Sequence, residues 1–341
     1  MNKKDLLASF LSKAHLLPAI KYLRSSTSNA LCILAYHRIY DMGNEDEFPF
    51  DPELISATPD DFETQMRYVK KHFNPITFKH IIDYQNGNTK LPECPVIITF
   101  DDGHLDNYTH AFPVLKKLHI PATIFISTEY MDSDKIFWFD WVAYNVYKTR
   151  KKELTLNEGS FFLKIGSGIS QKRKSVENLL NHLKALGNNE RLAALIEIKN
   201  TLNVKLENKD RGKSSALQWR QIVEMGENQI EFGSHTVSHP VLSSLSAHEL
   251  TQELVQSKTV IEQQLGKSVD TIAYPVGGED EFNQSVIDEC KKASYILGIS
   301  YSPGIEKLPL RDMYRIKRLH VERYTNIHRF KAMLALPGIF K

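Results

Sequence analysis

The 341 residues, 42% hydrophobic and 25% charged, suffice for one large α/β core or one core with a smaller insert, and exclude a disordered or fibrous chain. A formal net charge of +2 excludes the polyelectrolyte signature of a nucleic-acid binder and leaves the basic clusters at 148–152 and 172–174 as solvated faces. Three separated cysteines, Cys32, Cys94 and Cys290, suit neither a disulfide framework nor a zinc ribbon, and no apolar run approaches the ~18 residues of a membrane span.

The chain opens like an export signal, but Asp5, Lys13 and His15 interrupt the stretch that would have to be apolar, which predicts a cytoplasmic protein without a cleaved leader. Leu6, Leu7, Phe10, Leu11, Ala14 and Leu17 fall at helical spacing among Lys3, Lys4, Lys13, Lys21 and Arg24. That pattern suits a helix docked on the body of the protein or one resting weakly on the anionic inner membrane surface. A Ser-Ser-Thr-Ser linker at 25–28 separates this first element, 1–28, from the main body, 29–341.

The run from Leu31 to Tyr36 predicts a buried strand ending in His37-Arg38. Thr58-Pro59-Asp60-Asp61 is a helix start, followed by a helix to about Lys71, a short strand near Pro75 and a helix with Ile81 and Ile82. Val96-Ile-Ile-Thr-Phe-Asp-Asp-Gly103 reads as a strand buried on both faces that ends in a carboxylate pair. Asp-Asp-Gly is good turn chemistry, while carboxylates at the edge of an apolar core call for a cation or donors, so a turn and a site both remain open here. After a helical connection through Val114 and Leu118 comes a strand from Ala122 to Ser127. The pattern changes at about 137–216, which reads as an insertion with Trp138 and Trp141, a β-like stretch at 160–165 and a helical hairpin. Alternation then resumes, with strands near 229–235, 271–274, 295–299 and 314–321 and a capping box at Ser246 to Glu249.

His235-Thr-Val-Ser-His239 follows an apolar strand as Asp101-Asp102 does. Within one helical turn both imidazoles would share a side, and in a parallel barrel the two strand ends share a face. Two histidines and one carboxylate then make a three-ligand site with an open position for water.

These two motifs, in this order, resemble those of the polysaccharide deacetylases with the chitooligosaccharide-deacetylase homology domain, the carbohydrate esterase family 4-like proteins. The likeness extends to Leu34-Ala-Tyr-His-Arg38, Pro121-Ala-Thr-Ile-Phe125, 219–240 and Ala273-Tyr-Pro-Val-Gly277, and covers about 30–130 and 216–321. The resemblance implies a distorted (β/α)7 barrel carrying the helical insertion, and a metal-dependent hydrolase that removes N-acetyl groups from an amino-sugar saccharide of the cell surface. It implies Asp101 as general base and Asp102, His235 and His239 as ligands of a divalent cation, Zn²⁺ first. The third motif, Arg-x-Pro-Tyr-Gly, stands here without its arginine, which leaves open how the base is oriented. Val276 takes the place of the tyrosine whose N–H serves the oxyanion, with Tyr274 beside it in substrate binding. The arginine-free form resembles the branch acting on poly-N-acetylglucosamine, which places its general acid at the position of His37. His320 competes, near the fifth motif Leu-x-His, with Arg318 where the leucine is expected; a structural role for His37 also stays open. Asp140-Trp141 matches the fourth motif in letters but precedes the second, so it reads as packing. The alternatives are a saccharide-binding barrel without turnover, which the missing arginine favours, and a hydrolase of another amide or an O-acetyl ester.

Overall fold

The computed structural model describes residues 3–14, 16–17 and 30–340; His15, Lys21, Arg24 and the linker at 25–28 lie outside the described residues. Seven strands form the centre: β1 (Ala30–Tyr36), β2 (Pro95–Phe100), β3 (Ala122–Ile126), β4 (Ile230–Ser234), β5 (Thr271–Ala273), β6 (Leu297–Pro303) and β7 (Ile316–His320). Each pairs in parallel with the next in chain order, and β1 closes the ring by pairing with both β2 and β7. The expected (β/α)7 barrel is the architecture. Its distortion lies in the three-residue β5 and in a register shift between β6 and β7.

Helices cover the outside. α1 (Lys3–Lys13) precedes β1, α2 (Pro59–His72) and α3 (Phe78–Gln85) follow it, and α4 (Phe112–Leu118) follows β2. Thr58 caps α2 by accepting the Asp61 N–H, with Pro59 at the first helical position, as its sequence requires. Between β3 and β4 come α5 (Trp138–Lys148), an antiparallel hairpin of Glu153–Leu156 with Phe161–Lys164, α6 (Ile169–Ala185), α7 (Asn188–Leu202) and α8 (Trp219–Gly226). α9 (Ala247–Leu265) starts at the Ser246–Glu249 capping box and stops at left-handed Gly266. α10 (Gln284–Lys292) follows β5 and α11 (Ile327–Ala335) follows β7. α1 is docked on α11: Ala8 is buried, Asp5 pairs with Arg329 at 3.3 Å and Ser12 meets His328 Nδ1 at 2.9 Å. Leu6, Leu7, Phe10 and Leu16 remain exposed.

The strands alternate between two apolar surroundings, which sets where polar groups can stand. Leu31 and Ile33 of β1, Ile97 of β2, Phe125 of β3, Ala273 of β5, Leu297 and Ile299 of β6 and Ile316 of β7 form one buried cluster inside the ring. Their neighbours Cys32, Leu34, Ile98, Ile124, Ile230, Phe232 and Leu319 pack outward against the helices. Counting by two along the inward set leads to His37 after β1, Asp101 after β2, His235 after β4, Tyr301 in β6 and Arg318 and His320 in β7. The carboxyl end of the barrel therefore gathers its charged and imidazole groups from four separate strands, with the Tyr301 ring from a fifth.

Gly233, inward on β4, allows Phe125 to fill the barrel, since a Cβ there would meet the Phe125 ring at 2.5 Å and Thr271 Oγ1 at 2.6 Å. Gly233→Ala is expected to cost about 1–3 kcal/mol in stability by overpacking, read as a lowered denaturant midpoint. An unchanged midpoint would mean that the barrel interior has slack.

Candidate metal centre

Asp102 directly follows the inward register of β2 and adopts φ 72°, with Gly103 at 86°. This is left-handed backbone, which a non-glycine residue adopts only when its surroundings hold it there. Asp101 O accepts the Gly103 N–H at 2.9 Å, and the Gly103 carbonyl accepts the Leu217 N–H at 2.9 Å. A Cβ on Gly103 would lie 2.8 Å from Ile126 Cγ2, so conformation and packing both select glycine. Asp-Asp-Gly is thus a turn and a site at once.

The four-residue spacing of His235 and His239 predicts a helical turn; residues 235–240 are instead an irregular loop, with Thr236 at φ 71° and His239 at φ 57°. The reason is that the chain leaving β4 must fold back over the barrel end, and Glu253 of α9 pairs the backbone groups a helix would have used. Its Oε2 accepts from Val237 N–H at 2.7 Å and Ser238 N–H at 3.0 Å, and its Oε1 from Ser238 Oγ at 2.6 Å. Trp138 Nε1–H donates to the His239 carbonyl at 3.0 Å. His235 Nδ1–H donates to the Ala273 carbonyl at 2.8 Å, which leaves the Nε2 lone pair facing Asp102. Burial, helped by neighbouring His239, pushes the His235 pKa down to about 4, so the ring is neutral.

The loop brings the three expected ligands together despite the different route. His235 Nε2 and His239 Nε2 lie 3.5 and 3.3 Å from Asp102 Oδ1, and the three ligand atoms fall within 4.8 Å of one another. Two ligands at ~2.0–2.1 Å from one tetrahedral ion stand about 3.3–3.4 Å apart, so the spacing already matches. Asp102 Oδ2 and His239 Nδ1 are buried without hydrogen-bond partners. Burial would raise the Asp102 pKa, but the imidazoles of His104, His239 and His37 hold it well below the usual carboxylate range. A buried anion facing the neutral His235 ring and a second imidazole, His239, fits a divalent cation.

Asp101 has a different partner. Arg318 of β7 grips it in a fork, Nη1 to Oδ1 and Nη2 to Oδ2, both at 2.7 Å. The guanidinium is fully buried and completes its bonds to Thr99 Oγ1 at 3.1 Å and, through Nε, to the Ser300 carbonyl at 3.0 Å. Burial alone would raise the Asp101 pKa; Arg318, with His235 and His37, lowers it instead. The arginine absent from the third motif thus has a substitute from another strand. Sequence reading registered Arg318 only as a missing leucine. The available signal was a charge at an inward position, two residues after Ile316.

His37 Nε2 lies 3.8 Å from Asp101 Oδ2. Its backbone is held on both sides, N–H to Ser56 Oγ at 2.9 Å and carbonyl to Asn107 Nδ2 at 2.8 Å. The buried Arg38–Asp106 pair, at 2.9 Å, fixes the next residue. His320 stacks on Tyr301 with centroids 3.6 Å apart, and its Nε2 is buried and unpartnered. Burial lowers both imidazole pKa values, and Arg318 reinforces it at both; at His37 Asp102 and Asp101 oppose it more strongly than Arg318 adds to it, whereas at His320 Arg318 leads and the pKa falls to about 4.

Val276 stands at φ 63° and Gly277 at 65°, in a turn held by Gly277 N–H to Pro275 O at 2.7 Å and Tyr301 N–H to Gly277 O at 2.7 Å. Tyr274, named above for substrate binding, has both polar groups engaged elsewhere. Its N–H meets the Ile299 carbonyl at 3.0 Å, its hydroxyl the Tyr314 carbonyl at 3.0 Å, and its ring stacks on Phe282. Through these bonds it supports β5. Asp140 is buried and accepts from Ser214 Oγ at 2.5 Å, in keeping with a packing role.

The sequence model of the polysaccharide deacetylase family matches residues 88–297, more than half of the chain. This chain belongs to the polysaccharide deacetylase family. The Bacillus subtilis protein YxkH is 23% identical over 301 residues, spanning 88% of this chain and 74% of that protein. The poly-β-1,6-N-acetyl-D-glucosamine N-deacetylase of Staphylococcus epidermidis is 35% identical over 120 residues, 33% of this chain and 41% of that enzyme. Among solved structures, the Streptococcus pyogenes deacetylase PplD in complex with acetate shares the fold at TM-score 0.58 and 20% identity, covering 88% of this chain and 95% of its own. IcaB from Ammonifex degensii does so at TM-score 0.52 and 19% identity, covering 90% and 97%. His37, Arg318 and His320 lie outside the family match, so their place in the site rests on geometry.

Arg318→Met leaves Asp101 buried without its counter-charge and is expected to cost about 3–5 kcal/mol at neutral pH. Because the folded-state pKa of Asp101 is depressed, the pair's contribution is full above the unfolded carboxylate range of about pH 4 and fades as pH falls through the folded value. Denaturant titrations of parent and variant should therefore converge on acidification. A pH-independent difference would assign the loss to packing.

Proposed function

We propose that this protein is a metal-dependent hydrolase that removes N-acetyl groups from an amino-sugar saccharide of the poly-N-acetylglucosamine kind, in cell-surface glycan metabolism. The observation that carries this reading is the division of labour between adjacent carboxylates: Asp102 with His235 and His239 on one side, Asp101 in the fork of Arg318 on the other. The poly-N-acetylglucosamine assignment is supported by the arginine-free third motif and by the named staphylococcal relative.

Asp102, His235 and His239 would hold the cation, with Zn²⁺ preferred by two imidazole nitrogens and a carboxylate oxygen; bound there it would acidify a water and polarise the acetyl carbonyl. Asp101, kept ionised and oriented by Arg318, takes the proton from the attacking water. The Val276 N–H, in the left-handed turn after β5, donates to the acyl oxygen as it gains charge. His37 gives the departing amine its proton, since an unprotonated amine leaves poorly. His37 is preferred over His320 because, although Arg318 opposes protonation of both, the carboxylates of Asp102 and Asp101 outweigh it at His37, whereas at His320 it outweighs Asp101. The fork on Asp101 also removes the ground for a barrel without turnover, namely a base left unoriented.

Residues 29–341 form one deacetylase barrel in this reading, with 137–216 as an insert and 1–28 as a preceding helix and linker. No helix among the described residues is long and apolar enough to cross a membrane. A cytoplasmic location with weak membrane-surface association fits α1, whose exposed Leu6, Leu7 and Phe10 stand near Lys4 and Lys13. Recovery of the protein outside the cell would remove that assignment.

An assay for free amines on N-acetylated β-1,6-linked glucosamine oligosaccharides should show turnover that a chelator abolishes and Zn²⁺ restores. O-acetylated saccharides run alongside, and activity on those alone moves the reading to an esterase. Asp101→Asn should keep its metal and lose about 10²–10⁴-fold in kcat; undiminished turnover in the metal-loaded variant removes Asp101 as base.

His37→Ala and His320→Ala separate the two candidate acids. His37→Ala is expected to lose activity on the ordinary saccharide and to recover it on a substrate whose leaving group is strongly activated. If His320→Ala alone shows that pattern, the acid is His320.

A further inference from the structure

Outside the three ligands, one further imidazole reaches the metal centre, and neither the motifs nor the mechanism uses it. His104 is 0% exposed, and neither Nδ1 nor Nε2 has a hydrogen-bond partner. Its ring packs against Phe137 with centroids 4.4 Å apart and against Phe139 at 6.5 Å, so its slot is an aromatic one. An orphan buried polar group is destabilising, and nothing in this packing asks for an imidazole where a phenyl ring would fit. The backbone is pinned in place, through a bridge to Ala216 and the Leu105 N–H to Ser215 O bond at 2.8 Å.

The Nε2 atom sits 3.5 Å from Asp102 Oδ2, the buried oxygen that also lacks a hydrogen-bond partner. The other oxygen, Oδ1, is the one that faces His235 and His239. The carboxylate is thus approached on one oxygen by the two ligand imidazoles and on the other by His104. We infer that His104 is a positioning residue for Asp102: its Nε2–H donates to Oδ2 and so commits Oδ1 alone to the cation. A hydrogen bond needs ~2.7–3.2 Å between the heavy atoms, which a small turn of the carboxylate about its Cβ–Cγ bond supplies. Without that donor the carboxylate is free to rotate, to offer both oxygens or to turn away from the histidines. Partners that orient metal ligands are typically worth 10–100-fold in metal affinity.

The inference rests on the metal-hydrolase reading and is tested by binding rather than turnover, on the full chain. Zn²⁺ affinity is measured by competition with a chromogenic chelator, and the ligand field by the visible spectrum of the Co²⁺-loaded protein. His104→Phe, which fills the same slot, should melt no lower than the parent without metal, yet bind Zn²⁺ 10–100-fold more weakly and show an altered Co²⁺ spectrum. His104→Gln keeps an N–H donor and should recover part of the affinity. If His104→Phe cannot be purified folded, His104→Leu is read in the same way. Parental Zn²⁺ affinity together with a parental Co²⁺ spectrum in the phenylalanine or leucine variant overturns the inference while leaving the metal centre intact. A parent protein that takes up no cation overturns the metal reading itself, and the inference with it.

Discussion

The site depends on one electrostatic constraint: two adjacent carboxylates are buried at the end of an apolar barrel, and each must find compensation of its own. An ion taken out of water incurs a penalty of several kcal/mol unless a partner and further hydrogen bonds offset it. Asp101 is satisfied within the protein by a guanidinium that is itself bonded to Thr99 and to the Ser300 carbonyl. Asp102 is surrounded by imidazoles, at least one of them neutral, and keeps an unpaired oxygen. The first arrangement is complete and the second is not. That asymmetry is what, in the proposed mechanism, separates a proton acceptor from a metal ligand in residues that are chemically identical and adjacent in sequence.

The backbone carries a second cost at the same place. Asp102, Thr236, His239 and Val276 all have positive φ, and Thr236 and Val276 are β-branched, for which this conformation is a true outlier. Such strain persists only where the surroundings over-determine it. Here Glu253 fixes the loop through three hydrogen bonds, Trp138 holds the His239 carbonyl, and Tyr301 holds Gly277. The outer elements that supply these bonds are therefore part of what makes the centre.

The strands, the capped helices α2 and α9 and the three ligands were legible because each leaves a local mark: an apolar run, a cap, a motif at a strand end. The direction each strand residue faces was not. In a closed parallel barrel both faces are apolar, so Cys32 and Ile33 look alike in sequence although one packs under helices and the other fills the ring. Without that register, Arg318 reads as a misplaced leucine rather than the partner of an aspartate 217 positions away. The path between His235 and His239 was misread for a related reason. Spacing carries no record of Glu253, whose side chain makes a non-helical loop affordable. His104 left no mark at all, since an imidazole in an aromatic wall differs from a phenyl ring only through the carboxylate it faces.

The bond from Trp138 to the carbonyl of His239 ties the long segment between β3 and β4 to a ligand of the cation. That segment cannot be treated as a detachable decoration. In a chimaera that exchanges it between relatives, the support of a metal ligand would be inherited with it. A graft that leaves Trp138 behind would deprive the His239 carbonyl of this donor and loosen the loop that carries the ligand.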